Sequence, residues 1–535
     1  MSAPTIRPIR LMSGFLTVGV WTLLSRVLGF MRDILIASFL GTGPVAEAFL
    51  IAFALPNMFR RFFAEGAFNM AFVPMFSKKV EGGEDALTFA RDAFSGLASV
   101  LIVFTLLAQL AMPWLVLAMA SGFAGDVRFD LAVALGRIAF AYILFISLAA
   151  LLSGVLNALG RFAAAAAAPL LLNAILISAL LLAQSGVLQD QVTVQVAGGE
   201  DLTGLHYGTM LVWGVLLAGI AQLALVWWAA ARAGFNLTPR RPKLTPDLKR
   251  LALIAAPAML AGGVVQVNLL VGRQVASFFD GAVAWLSYAD RLYQLPLGVV
   301  GIAIGVVLLP DLSRRLRAGD DAGGQNALSR AAEISMTLTV PCAIALIVIP
   351  VPLISVLFER GAFGADDTAA TALALAVYGL GLPAFVLQKV LQPLYFSRED
   401  TVTPFKYAVV SLVVNAAVAI GLSMVIGFLA AAIGTTLAAW AMVWLLQRGV
   451  RQMGPVAQFD QRYRKRLWRI VFSSLLMGVI LWGVYLLLGP LLGTAGWRYG
   501  ALAVLVASGI FSYALIGQAL GAFYLRELRE TIRRG

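Results

Sequence analysis

Apolar runs long enough to cross a bilayer recur along the chain, separated by short polar connections. About fourteen can be read, near residues 13–41, 45–77, 88–120, 129–158, 164–186, 208–232, 250–279, 283–312, 328–358, 367–396, 403–425, 428–448, 467–489 and 498–523. Some twenty apolar residues wound as a helix match the hydrocarbon thickness, so the pattern predicts an all-α polytopic membrane protein. The connections alternate in charge. Arg7 and Arg10, Lys78 and Lys79, Arg161, the run RAGFNLTPRRPKLTPDLKR, SRRLRAGD, Arg398, QRGVRQMGPVAQFDQRYRKR and the tail LRELRETIRRG all fall on one side. The other side carries neutral or acidic connections such as GTGP and the loop with Asp190, Glu200 and Asp201. Basic loops stay in the cytoplasm, which predicts an even number of spans with both termini cytoplasmic. The start, MSAPTIRPIRLMSG, lacks a small-residue cleavage signature and apolar spans follow directly, so no removed signal peptide is expected.

Composition agrees with this reading. The 535 residues are 61% hydrophobic and 13% charged, whereas a soluble domain is about a quarter charged. The net charge of +13 follows from the basic cytoplasmic loops and is not read as a nucleic-acid footprint. One cysteine, Cys342, and one histidine, His206, argue against a disulfide framework, a metal site or a histidine-based catalytic triad. No GxxxxGK[ST] phosphate loop occurs, so the chain is not expected to hydrolyse ATP.

Two local features interrupt the spans. Gln189–Tyr207 alternates valine with polar residues before GGED, which predicts a small external β-hairpin. Leu237–Lys249, with Pro239, Pro242 and Pro246, reads as a linker between halves. The halves resemble each other. IASFLG ending at Gly41 matches VASFFDG ending at Gly281, and ALPN around Pro56 matches QLPL around Pro296. VPMFSKK around Pro74 matches LPDLSRR around Pro310, Pro113 matches Pro352, and Asn173 matches Asn415. The common order and an offset of roughly 240 residues mark an internal repeat. The shift covers six helices, so the copies are parallel, and such repeats place substrate near the midplane between lobes. The organisation expected is a first lobe over 1–236 (helices 1–6), a basic linker over 237–249, a second lobe over 250–450 (helices 7–12), and a C-terminal pair, helices 13 and 14 with a basic tail, over 451–535.

The candidate chemistry lies in charges within the spans. Arg26, Arg32, Asp33, Glu47, Arg60, Arg61 and Glu65 sit in the first two apolar segments. A charge at the bilayer centre costs about 2.5–3.5 kcal/mol on insertion scales, so these groups must face each other, a ligand or water. At about 1.5 Å rise per residue, Arg26 lies roughly 20 Å or more from the cytoplasmic end of the first span. Arg26 and Asp33, seven apart, share a helix face. Gly29 lies between Arg26 and Arg32, and Pro56 with Asn57 precedes Arg60; both mark places where a helix can bend and line a cavity. In the second half, Asp290 and Arg291 precede Pro296 at a similar interval. Guanidinium stays charged at any depth and pairs in bidentate fashion with phosphate. Arg26, Arg32, Arg60 and Arg291 are therefore candidates for a diphosphate-type anion, with Ser25, Gly29, Asp33, Pro56, Asn57, Arg61, Glu65 and Asp290 as supporting residues. The competing reading is internal pairing of Arg26 with Asp33, Arg60 with Glu65 and Arg291 with Asp290. Gln266, Asn268, Arg273, Gln274, Gln388, Lys389 and Gln392 are read as helix–helix hydrogen-bonding groups.

The segments SRVLGFMRD (Ser25 to Asp33), ALPNMFRRFFAEGAF (Ala54 to Phe68), YADRLYQLPLG (Tyr288 to Gly298) and LYFSREDTVTP (Leu394 to Pro404) resemble the MurJ (MviN) family of lipid II flippases. That family lies within the multidrug/oligosaccharidyl-lipid/polysaccharide exporter (MOP) superfamily. The resemblance implies two six-helix lobes, a C-terminal pair grooved for a lipid tail, and outward transport of undecaprenyl-pyrophosphate-linked peptidoglycan precursor across the bacterial plasma (inner) membrane. It carries the family's essential arginines onto Arg26, Arg32, Arg60 and Arg291. It implies no catalysis and no cofactor, and leaves membrane potential or a cation open as the drive. Some members hold sodium with an acidic residue on the seventh helix; this chain has Gln266 and Asn268 there. The ligands implied are lipid II and membrane lipids, with cell-wall synthesis and division proteins open as partners. The alternatives are a flippase for O-antigen or capsule lipid-oligosaccharides, or a drug exporter of the same superfamily; the latter would want cavity carboxylates. A non-transporting scaffold would need no midplane charges.

Overall fold

A computed structural model of the chain describes residues 11–61, 67–186, 202–454 and 457–524. Among these residues the secondary structure is helical, in eighteen α-helices. By packing the chain divides into two units, Met1–Leu270 with Gly361–Phe363, and Val271–Arg360 with Gly364–Gly535.

In the first unit, α1 (Leu11–Leu40) packs on α8 (Ala163–Gln184), and α2 (Pro44–Arg60) packs on α6 (Val127–Phe140). α3 (Ala67–Glu81) and α4 (Ala86–Leu110) both rest on α7 (Tyr142–Ala158), and α5 (Met112–Met119) follows α4. α9 (Leu205–Arg232) lies against α7 and α8, and α10 (Pro246–Ala276) follows the linker. In the second unit, α11 (Ala282–Arg317), α12 (Asp321–Val348) and α16 (Leu429–Val450) all pack on α14 (Ala365–Phe396). α13 (Pro350–Phe358) follows α12, and α15 (Val402–Ile426) packs on α16. The last pair, α17 (Gln461–Leu492) and α18 (Arg498–Ala519), join each other, and α17 lies along α12.

The internal repeat is visible as a shared helix break. α4 ends at Leu110 and α5 restarts with Pro113 in its first turn; α12 ends at Val348 and α13 restarts at Pro350, with Pro352 two residues on. Proline has no N–H to extend a ladder but fits a first turn, where that donor is spare. The expected spans 88–120 and 328–358 are therefore each two helices. The expected span 45–77 contains α2 and α3, and residues 62–66 between them lie outside the described residues. Side-chain caps fix several starts: Asp85 accepts from Thr88 N, Asp126 from Arg128 N, Asp320 from Gly323 N and Asp460 from Tyr463 N, which occupies part of the unpaired first-turn donors.

Among the described residues ten segments are long and apolar enough to span a membrane, and the chain is a multi-pass membrane protein. The expected segments outside those ten are the ones now formed by α1, by α2 with α3, by α10 and by α11. Each of these includes or adjoins residues outside the described set, and α1, α2 and α11 carry the candidate arginines. α15 is at the other extreme, with Met424 95% exposed, as suits a surface facing lipid.

The linker is extended from Phe235 to Thr245, and α10 begins at Pro246 rather than after it. It is strapped to α4: Arg240 Nη2 pairs with Asp92 Oδ1 at 3.0 Å, its backbone N donates to Ser95 Oγ at 3.1 Å, and Arg91 Nε donates to Asn236 O at 3.0 Å. Most of the expected hairpin lies outside the described residues; its end, Leu205–Tyr207, is instead the first turn of α9.

Candidate functional site

The charges of α1 are arranged around one buried guanidinium. Arg32 and Asp33 are 6% and 7% exposed. Arg32 Nε and Nη2 donate to Asp33 Oδ1 at 3.0 and 2.7 Å. Its remaining edge, Nη1, donates to Asn173 Oδ1 on α8 at 2.9 Å. The Arg32 Cζ stands 5.9 Å from the centre of the Phe53 ring of α2, within the range of a cation–π contact. A buried guanidinium is tolerated only when neutralised and hydrogen-bonded, and both conditions are met here. Asn173 also donates from Nδ2 to Ser25 O at 2.8 Å and to Ser25 Oγ at 3.3 Å. Gly29 faces the Asn173 amide, and a Cβ there would meet it at an ordinary contact distance of 3.4 Å.

Arg26 is different. It is exposed, and none of the described residues pairs with it. Asp33, which shares its helix face by spacing, is taken by Arg32.

On α2, Pro56 is buried and the helix runs through it to Arg60. Asn57 Nδ2 donates to Phe53 O at 2.8 Å, one turn back along the same helix. Arg60 is half-buried in the last turn, where the negative end of the helix dipole favours a cation. Arg61 is exposed and reaches Gln266 Oε1 at 3.5 Å. Glu65 lies outside the described residues. In the second unit, Asp290 on α11 accepts from Gln294 Nε2 one turn on, and Arg291 is exposed. Tyr293 next to them stacks against Phe385 at 5.6 Å and packs on Tyr378 at 5.1 Å. The candidates thus fall into separate stations. Ser25, Gly29, Arg32 and Asp33 meet at Asn173; Arg60 and Arg61 end α2; Asp290 and Arg291 belong to the second unit.

The role of Asn173 could not be taken from spacing, because it sits 141 residues from Arg32. Its signal was a lone amide in the apolar run LLNAILI. Among the described residues no group of three His, Cys, Asp or Glu is placed to hold a metal ion.

α1 thus carries one buried, neutralised guanidinium at Arg32 and one exposed guanidinium at Arg26. The family model described as lipid II flippase MurJ matches residues 36–516. The chain belongs to the MurJ family. A relative in Rhizobium tropici, described as a probable lipid II flippase MurJ, is 42% identical over 533 residues, covering 98% of this chain and 97% of its own. The Burkholderia cenocepacia lipid II flippase MurJ is 37% identical over 415 residues, covering 76% of this chain and 77% of its own. The Rhizobium alignment takes in nearly all of the chain, whereas the family model begins after Arg26, Arg32 and Asp33. Among solved structures, a lipid II flippase MurJ in an inward-closed conformation superposes with TM-score 0.75 at 24% identity, covering 94% of this chain and 98% of that one. An inward-facing multidrug transporter of the MATE family, in the MOP superfamily, superposes with TM-score 0.64 at 14% identity, covering 81% of this chain and 95% of that one. The fold is that of MOP-superfamily transporters, and the family is one of transporters rather than enzymes.

Proposed function

We propose that the protein is a lipid II flippase. It moves undecaprenyl-pyrophosphate-linked peptidoglycan precursor from the inner to the outer leaflet of the bacterial plasma membrane by alternating access, with both termini in the cytoplasm. The observation that carries this reading is Arg26: an exposed guanidinium in the middle of an apolar helix, in a chain of the MurJ family, without a partner among the described residues. A cation so placed needs an anion, and a lipid-linked diphosphate brings one to membrane depth. Arg60 and Arg291 add charge from α2 and α11. Arg32 serves through its network with Asp33 and Asn173. An inside-negative potential favours outward movement of an anion by about 2.3 kcal/mol per charge per 100 mV, so the potential itself can drive turnover.

The test is complementation of a bacterium depleted of its lipid II flippase, with the chain and its Arg26→Ala, Arg32→Ala and Arg291→Ala variants at matched membrane levels. Externally accessible lipid II is labelled and counted. Restored flipping by the wild type and its loss in the arginine variants support the proposal. A well-inserted wild type that fails moves the substrate to another lipid-linked saccharide, and fully active variants remove the arginines from the site.

A further inference from the structure

We infer that Asn173 is the positioning residue for the arginines of α1, setting both the orientation of Arg32 and the helix turn from which Arg26 projects. This rests on the proposal that these arginines engage the diphosphate. α8 is apolar apart from Asn173, Ser178 and Gln184, and Ser178 is exposed and returns its hydroxyl to Ala174 O at 2.9 Å. Asn173 alone of the three is buried, at 6% exposure.

Its two ends do different work. Arg32 Nη1 can only donate, so it needs an acceptor; the Ser25 carbonyl can only accept, so it needs a donor. A carboxamide supplies both from one rigid plane: Oδ1 to Arg32 at 2.9 Å and Nδ2 to Ser25 O at 2.8 Å. A carboxylate could not donate to Ser25, and an apolar side chain could do neither. Asp33 supplies the charge that neutralises Arg32, on the opposite edge of the guanidinium. Asn173 supplies direction. It therefore pins α1 at Ser25 and at Arg32, the two ends of the stretch that carries Arg26. The repeat-related Asn415 has a different neighbour: its Oδ1 would lie 2.7 Å from a Cβ placed at Gly434 of α16.

The charged groups around Asn173 are few. On α1 they are Arg32 and Asp33. α7, also packed on α8, has no charged residue, and His206 of α9 sits at Ala183, near the other end of α8. This makes Asn173→Asp informative. Ionised, the new carboxylate keeps the acceptor toward Arg32, loses the donor to Ser25 and crowds Asp33. Protonated, it has one donor and one acceptor, like the amide. Two carboxylates sharing one cation raise the proton affinity of the pair.

The experiment uses the full chain in lipid nanodiscs with lipid II as the probe. Wild type, Asn173→Leu and Asn173→Asp are compared for lipid II affinity from about pH 8 to about pH 5.5, and for amide hydrogen exchange across α1. Asn173→Leu is expected to weaken binding about tenfold, the equivalent of one charge-assisted hydrogen bond, and to speed exchange around Ser25–Arg32. Asn173→Asp is expected to bind weakly at high pH and to recover on acidification, while wild type stays flat. A pH-independent loss in Asn173→Asp reduces Asn173 to a packing residue and overturns the inference, as does wild-type binding in both variants. If wild type itself does not bind lipid II, the functional proposal fails, and unchanged exchange in α1 of Asn173→Leu then overturns the tether separately.

Discussion

Glu333 is the carboxylate on which the C-terminal helix pair is anchored, and Glu333→Gln should loosen that pair. Glu333 is 6% exposed on α12 and is bonded by Arg330 of its own helix and by Arg466 of α17, itself 8% exposed; Arg462 Nη2 reaches it at 3.5 Å. Arg330 also bonds Asp460, the residue that caps α17, and the Arg466 Cζ stands 5.3 Å from the Tyr524 ring centre. The node therefore holds three cations and two anions. Removing the Glu333 charge leaves Asp460 alone with three guanidiniums. The Arg462 side chain is 46% exposed, and such a pair contributes about 1 kcal/mol or less. Arg466 is buried, and stripping a buried ion of its partner costs about 3–5 kcal/mol. The expected loss is about 3 kcal/mol, with α17 and α18 released first. Thermal unfolding of the detergent-solubilised chain, followed through Trp468, Trp482 and Trp497, should show a drop on the order of 3 °C. Glu333→Leu with Arg466→Met removes both charges and should recover most of the loss. A Glu333→Gln melting curve that overlays wild type, or a double variant worse than the sum of its singles, would refute the pairing.

Two further outcomes are expected. Glu47, 1% exposed on α2, pairs with Arg128 of α6 at 3.0 Å, and Arg128 also holds Asp126 at 2.6 Å. Because Asp126 remains as a partner, Glu47→Gln should cost near the low end of about 3–5 kcal/mol, read as a lowered denaturation midpoint, while adding Arg128→Met should restore part of it. Asp85 caps α4, and hydrogen bonds from Thr88, first from its side chain and then from its backbone amide, hold the carboxyl below its ordinary 3.8. A depressed carboxyl stabilises the fold above its unfolded value and loses that contribution as the pH falls through the folded value. Asp85→Ala should therefore cost about 1 kcal/mol at neutral pH, and the difference from wild type should shrink below about pH 4.

Much of the fold was legible because bilayer and backbone impose simple rules. Apolar length marked the helices, and the paired Pro113 and Pro352 marked the repeat, but the helix break at each of them was read as unbroken span because apolar length does not register a one-turn restart. The pairing of charges was less legible. Helical spacing put Asp33 on the face of Arg26, yet the carboxylate is taken by Arg32, its neighbour in sequence. The long guanidinium stem folds back because α8 offers an acceptor on the far edge, and that acceptor comes from a helix whose arrival spacing does not encode. The arginine node at Glu333 was hidden for the same reason: Arg462 and Arg466 read as part of a basic cytoplasmic run, and only the packing of α17 on α12 shows that they turn inward. Arg26 and Arg291 are exposed within apolar helices.

At the offset of the paired Pro113 and Pro352, Glu333 of α12 corresponds to Phe94 of α4. Phe94 is buried and meets the Trp227 ring at 5.2 Å within its own unit. The two copies thus differ here, an aromatic in one and an acid in the other, and the acid-bearing copy is the one followed by an extra helix pair. Without α17, Glu333 would lose Arg462 and Arg466 and keep only Arg330 of its own helix, so removing the appended pair leaves a carboxylate on α12 short of the partners that offset its burial.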